Sequence, residues 1–192
     1  MIRENLVLPG KTMQTSLSEL LVAEHNVILK AAKLIESNNR LWETDLSAYR
    51  AFVNFFIEFI SVYADEFHHH KEEEILFPAI SKVNEQTGLS MVQELTEHHE
   101  EFRMLAQEIR NKFARQEYAS TQQYLELYMN KLREHIAAEN DELFPMADGI
   151  LSARESERLY YQCIDKDEEL GKTRKMDYEE QIKKLSRNET VQ

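Results

Sequence analysis

His68-His-His-Lys-Glu72-Glu-Glu-Ile-Leu-Phe-Pro78 and His135-Ile-Ala-Ala-Glu139-Asn-Asp-Glu-Leu-Phe-Pro145 are two versions of one phrase. In each, a histidine precedes a glutamate by four residues and a proline follows that glutamate by six. A helix turns once every 3.6 residues, so this spacing sets imidazole and carboxylate on one face, aimed at a common point. A helix built this way offers a cation two ligands from a single turn.

The remaining histidines extend the pattern. All seven fall in four places: His25, the run His68 to His70, the pair His98 and His99, and His135. His25 and His98 each follow a glutamate, Glu24 and Glu97, and each sits within its own amphipathic stretch. In order the chain reads His, His-x3-Glu, His, His-x3-Glu.

A chain of 192 residues suits one well-buried domain with an appendage rather than two full domains. Only 4 Gly and 3 Pro leave few breaks for a β-rich fold, and 30% charged residues point to an all-α protein. A net charge of −12 repels phosphate backbones and no basic stripe offsets it, so no nucleic-acid partner is expected. The opening Met1 to Gly10 lacks the apolar core of a secretory signal, and no window approaches the ~20 apolar residues of a membrane span, so the expected location is cytoplasmic with no membrane association. With Cys163 alone, Cys-rich zinc and iron–sulfur sites are excluded and histidine and carboxylate must hold any metal.

Leu17, Leu21, His25, Ile28, Leu29, Ala32 and Ile35 predict a first helix from Ser16 towards Trp42, weakest at Asn38-Asn39. A second starts near Thr44-Asp45, carries Phe52, Phe56, Ile60, Ala64, His68, Glu72 and Ile75 on one stripe, and should kink or fray at Pro78. Ser90-Met-Val-Gln93 and Ser120-Thr-Gln-Gln123 read as capping boxes opening helices three and four. Their apolar faces are Met91, Leu95, His98, Phe102, Leu105 and Ile109, then Tyr124, Leu125, Tyr128, Leu132, His135 and Glu139. His98 precedes a helix end near Phe113 by 15 residues and His135 follows Ser120 by 15, which places both roughly 22 Å from their shared turn. His25 and His68 match less well, at 17 residues from Trp42 and 23 from Asp45. Residues 12–150 form the expected bundle and 151–192 a helical tail, with Ser152 beginning a fifth helix. From Asp165 the thin apolar series Met176, Tyr178, Ile182 and Leu185 predicts a peripheral segment, mobile or leaning on a partner subunit in a homo-oligomer.

Burying four imidazoles and two carboxylates without a cation costs several kcal/mol per unpaired charge, roughly, so a metal cluster is expected. Successive helical residues turn by about 100 degrees, so one pair of the triplet faces inward. Phase favours His68 with Glu72, and leaves His69, His70, Glu73 and Glu74 solvated or supporting. His99 is placed off the apolar face by the same reasoning. Glu24 and Glu97 read as surface acids or as partners for the outer nitrogen of a ligand histidine. Tyr63 and Tyr128 read as core.

The four phrases, Glu-His, His-x3-Glu-x3-Leu-Phe-Pro, Glu-His and His-x3-Glu-x3-Leu-Phe-Pro, resemble the hemerythrin-like HHE cation-binding family over about Leu17 to Gly149. The resemblance implies an up-down-up-down four-helix bundle around an oxo- or hydroxo-bridged pair of irons, with His25, His68, Glu72, His98, His135 and Glu139 as metal ligands. Oxygen-carrying hemerythrins place two histidines one turn apart on helix three and a His-x4-Asp pair on helix four. Here Phe102 follows His98, and helix four repeats His-x3-Glu, so one imidazole is missing from the expected set. Ferritin-like di-iron proteins carry Glu-x2-His instead.

The expected function is a non-haem di-iron protein that binds or senses O2, NO or peroxide, with zinc or manganese fitting the same donors. Phe56, Ile60, Phe102, Leu105 and Leu132 would wall the site against water. Two other readings stay open: an iron storage or repair protein under oxidative or nitrosative stress, and an interaction module stapled by metal. Enzymatic turnover is not assigned, since the same ligands serve binding, sensing and peroxide breakdown.

Overall fold

The computed structural model describes residues 16–83 and 87–189. Met1 to Gly10, read above for a signal, and the first residues of the expected domain lie outside the described residues.

Ser16 starts the first helix, α1 (Leu17–Ser37), by accepting from the Glu19 amide at 3.1 Å while the Glu19 carboxylate accepts from the Ser16 amide at 2.8 Å. This reciprocal pair satisfies amides that have no partner inside the helix. The helix ends at Asn38, within the weak Asn38-Asn39 step, and a short α2 (Leu41–Thr44) follows. Asp45 then caps α3 (Leu46–Phe59) by accepting from the Ala48 amide at 2.9 Å. His25 and His68 nevertheless meet, with ring centroids 4.5 Å apart, and the connection between their rods, residues 38–45, holds the short α2.

Beyond Phe59 the second rod widens. Ile60–His69 and Glu72–Leu76 are π-helical, and α4 (Phe77–Val83) runs on through Pro78. The expected kink is therefore replaced by a wide turn. Pro78 cannot donate to the Glu74 carbonyl and its ring crowds that oxygen, whereas i→i+5 bonding lets the Phe77 amide reach Glu72 instead. The second phrase ends in the same way: Glu139–Leu143 is π-helical, the Phe144 amide donates to Glu139, and α7 (Phe144–Ile150) carries Pro145.

The third rod is α5 (Thr87–Ala114), and the fourth begins with α6 (Tyr118–Ala138), which runs straight into the π-helical turn at Glu139. Both begin before the serines expected to open them. Ser90 and Ser120 lie within the first turns, and the α5–α6 connection is made by Gln116 at φ 59° and by Glu117, which pairs with Lys112 at 2.8 Å.

The four rods enclose two apolar clusters. One gathers Ile28, Phe56, Phe59, Tyr63, Phe67, Phe102, Leu125, Leu132 and Ile136, and the other Leu17, Leu21, Leu76, Phe77, Leu95, Leu143 and Phe144. On every rod the sequence passes from one cluster to the other across a few residues: 21 to 28, 67 to 76, 95 to 102 and 136 to 143. Those gaps are a polar layer at one height.

Helices α8 (Ala153–Leu170) and α9 (Lys172–Glu189) turn about Gly171, whose φ of 99° disfavours any side chain. The tail does not behave as a peripheral segment. Leu159 and Cys163 join one apolar cluster, Tyr178 and Ile182 join the other, and α9 lies along α1 of its own bundle. Ile182 is 1% exposed while Met176 is 57% exposed. Ile182→Ala should therefore lower the unfolding free energy by about 2–5 kcal/mol in urea titration, and Met176→Ala by no more than about 0.5. Equal, small effects would return α9 to the status of an appendage.

Candidate metal centre

Five imidazoles and two carboxylates fill the polar layer. His25 comes from α1; His68, His69 and Glu72 from the π-helical part of the second rod; His99 from α5; His135 and Glu139 from the end of the fourth. All seven are buried, none more than 1% exposed. Donor atoms of His25, His68, Glu72 and Glu139 lie within 4.8 Å of one another, as do those of Glu72, His99, His135 and Glu139, and those of His69, His99 and His135.

The two glutamates are common to both larger sets, and each divides its oxygens between them. Glu72 Oε1 lies 3.4 Å from His68 Nε2 and 4.0 Å from His25 Nε2, while its Oε2 lies 3.6 Å from His99 Nε2. Glu139 Oε2 lies 3.2 Å from His25 Nε2, and its Oε1 lies 3.3 Å from His135 Nε2. The carboxylates thus face two adjacent positions at once.

Among the described residues, Nε2 of His25, His68 and His69 and all four oxygens of Glu72 and Glu139 are buried without a hydrogen-bond partner. Stranding so many polar atoms is costly, and cations on the shared side relieve it. Burial, with the neighbouring Glu139 charge, pushes the Glu72 carboxyl well above the usual range, and burial does the same to Glu139. Burial also depresses all five imidazoles, His69 to about 3. Neutral imidazole with its lone pair free is the ligating form. The donor set fits a pair of cations.

The outer nitrogens of His25, His68, His99 and His135 have hydrogen-bonding partners as well, which fixes ring orientation. His25 Nδ1 pairs with Asn140 Oδ1 at 2.8 Å, His68 Nδ1 with Glu24 Oε2 at 2.9 Å, and His99 Nδ1 with Glu73 Oε1 at 2.7 Å. His69 Nδ1 faces Asp65 at 3.6 Å, and His135 Nδ1 faces His98 Nδ1 at 3.4 Å. Arg103 braces both acids on the His69 side, at 2.8 Å from Asp65 and from Glu73.

Five of the six expected residues, His25, His68, Glu72, His135 and Glu139, meet in this layer. His98 does not: it is half-buried and stacks edge-on against His135 with ring centroids 5.6 Å apart, and the inward place on α5 belongs to His99. His69, expected outside, is inside. In a π-helix each residue turns the chain by less than in an α-helix, so His68 and His69 both reach the layer, 5.6 Å apart. His69 stacks on His99 with ring centroids 4.0 Å apart, and its donor atom lies within 4.8 Å of those of His99 and His135. Glu24 serves His68 as a supporting acid, while Glu97 is exposed and pairs with Gln93.

A helical bundle with a dry layer of imidazoles around two shared carboxylates defines a cation-binding protein of the four-helix class. The chain belongs to the hemerythrin HHE cation binding domain family, which it matches over residues 16–147. Comparison with curated proteins and with solved structures gave no match. The helices α8 and α9 fall outside the matched range.

If the layer binds as arranged, His69→Ala and His99→Ala should each cut bound metal sharply while His98→Ala and His70→Ala leave it near the parent value, measured by elemental analysis of purified chains. Loss in His98→Ala with retention in His99→Ala would restore the register drawn from the apolar stripe.

Proposed function

We propose that this chain is a cytoplasmic non-haem di-iron protein that binds or senses O2, NO or peroxide. The observation that carries the reading is the split of Glu72 and Glu139, each with one oxygen towards His25 and His68 and the other towards His99 and His135. Glu72 and Glu139 with His25 and His68 would hold one cation, and the same carboxylates with His99 and His135, supported by His69, would hold a second. Imidazole with carboxylate favours iron among the abundant metals, although zinc or manganese accepts the same donors. An iron pair would supply reversible redox and Lewis-acid chemistry toward small ligands.

The chain's own groups prepare that chemistry. The side with two imidazoles has fewer protein donors, and so more room for an exogenous ligand. Phe144 stacks on His25 at 5.4 Å and Phe77 on His99 at 5.6 Å, which closes the layer with aromatic rings from one apolar cluster. Phe102 and Phe67 close it from the other. Excluding water strengthens every electrostatic contact inside. No described helix is long and apolar enough to cross a membrane.

Anaerobic reconstitution with ferrous iron, followed by aeration, should give close to two irons per chain and the near-ultraviolet charge-transfer bands of a bridged ferric pair. Well under one iron per chain with no such bands would defeat the proposal.

A further inference from the structure

Behind His68 lies a second cluster of charge that the metal layer does not use. Glu24 accepts from His68 Nδ1 through Oε2, and its other oxygen, Oε1, takes both Lys71 Nζ and Lys175 Nζ. The same two ammonium groups turn to Asp167, Lys71 to Oδ1 at 2.8 Å and Lys175 to Oδ2 at 2.5 Å. All four residues are buried: Lys71 0%, Glu24 2%, Asp167 5% and Lys175 7% exposed. The result is a closed ring of two cations and two anions, neutral overall, one side chain away from a ligand histidine. Burial alone would pull the Lys175 ammonium down, yet Glu24 and Asp167 hold it above its ordinary range.

Asp167 comes from α8 and Lys175 from α9, the helices outside the family match. Docking those helices does not require buried charge. A packed apolar contact would hold them as well or better, because desolvating four ions costs several kcal/mol each, roughly, before their attraction repays it. The other side of the layer is built differently. There Asp65, Glu73 and Arg103 support His69 and His99 from half-exposed positions, where solvent screens their charge. The ring behind His68 has no such screening.

We propose that α8 and α9 complete the metal centre electrostatically, with Asp167 and Lys175 as positioning residues that hold Glu24 against His68 and keep its surroundings neutral, and so set the potential of the iron bound by His25 and His68. The inference rests on the iron pair proposed above. Removing one cation leaves an excess negative charge beside His68, which favours ferric over ferrous iron. Removing one anion leaves an excess positive charge and does the reverse.

The test uses the full chain with Lys175→Met, Asp167→Asn and both together, each reconstituted with iron and compared by metal content and midpoint potential. Iron content should stay at the parent value in all three. The potential should shift lower in Lys175→Met, higher in Asp167→Asn, and return towards the parent in the double variant, which restores neutrality. A merely structural role would not reverse the sign. Unchanged potentials in both single variants, or shifts in one direction, would overturn the inference while leaving the iron pair standing. A parent chain that takes up no iron removes the proposed function instead. The ring is then judged on the metal-free protein by histidine NMR, where the His68 Nδ1 proton should move downfield in Lys175→Met and upfield in Asp167→Asn; an unmoved proton in both overturns it.

Discussion

Two carboxylates share one water-excluded layer, and the rest of the architecture answers to that. Glu72 and Glu139 are fully buried, and no oxygen of either finds a hydrogen bond among the described residues. Two such anions side by side repel each other strongly where no solvent intervenes. Cations seated between them would turn the repulsion into a shared attraction. Five depressed, neutral imidazoles around the same point are the complement such cations need.

The backbone bends to this requirement at two symmetric places. Each of Glu72 and Glu139 opens a π-helical turn that ends at Leu-Phe-Pro, so the proline both forbids the ordinary hydrogen bond and fixes where the widened turn must fall. A longer π-helical stretch before Glu72 brings two adjacent histidines inward. The apolar clusters above and below then seal the layer, and the outer nitrogens of His25, His68, His99 and His135 are tied to Asn140, Glu24, Glu73 and His98, while Asp65 lies 3.6 Å from that of His69. The two halves differ in the support they receive: partly solvated acids and Arg103 on one side, a dry ring of four charges reaching into α8 and α9 on the other.

Much of this is legible in the sequence, because His-x3-Glu at helical spacing is a local rule and the Leu-Phe-Pro ending repeats it. His68, Glu72, His135 and Glu139 follow from that rule together with the phase of the apolar stripe, and His25 from its place on the apolar face of the first helix. The register of α5 does not. Leu95, Phe102 and Ile109 are common to two stripes, one through His98 and Leu105, the other through His99 and Ala106, and both keep alternating steps of three and four. The larger leucine favours the first stripe on hydrophobicity, but the structure buries the small Ala106 and leaves Leu105 at the margin. His69 escapes notice because a π-helical stretch has no composition of its own, and an α-helical wheel puts it outside. The docking of α9 is hidden for another reason. Lys175 and Asp167 look like solvated charge until Glu24 and Lys71, distant in sequence, are brought against them.

The central claim is that two cations sit side by side on Glu72 and Glu139. Anomalous diffraction at the iron edge from crystals of the iron-loaded chain tests it most directly. The account predicts two adjacent peaks, each within bonding distance of both glutamates, one flanked by His25 and His68 and the other by His69, His99 and His135. A single peak, or peaks with His98 in the place of His99, would contradict it.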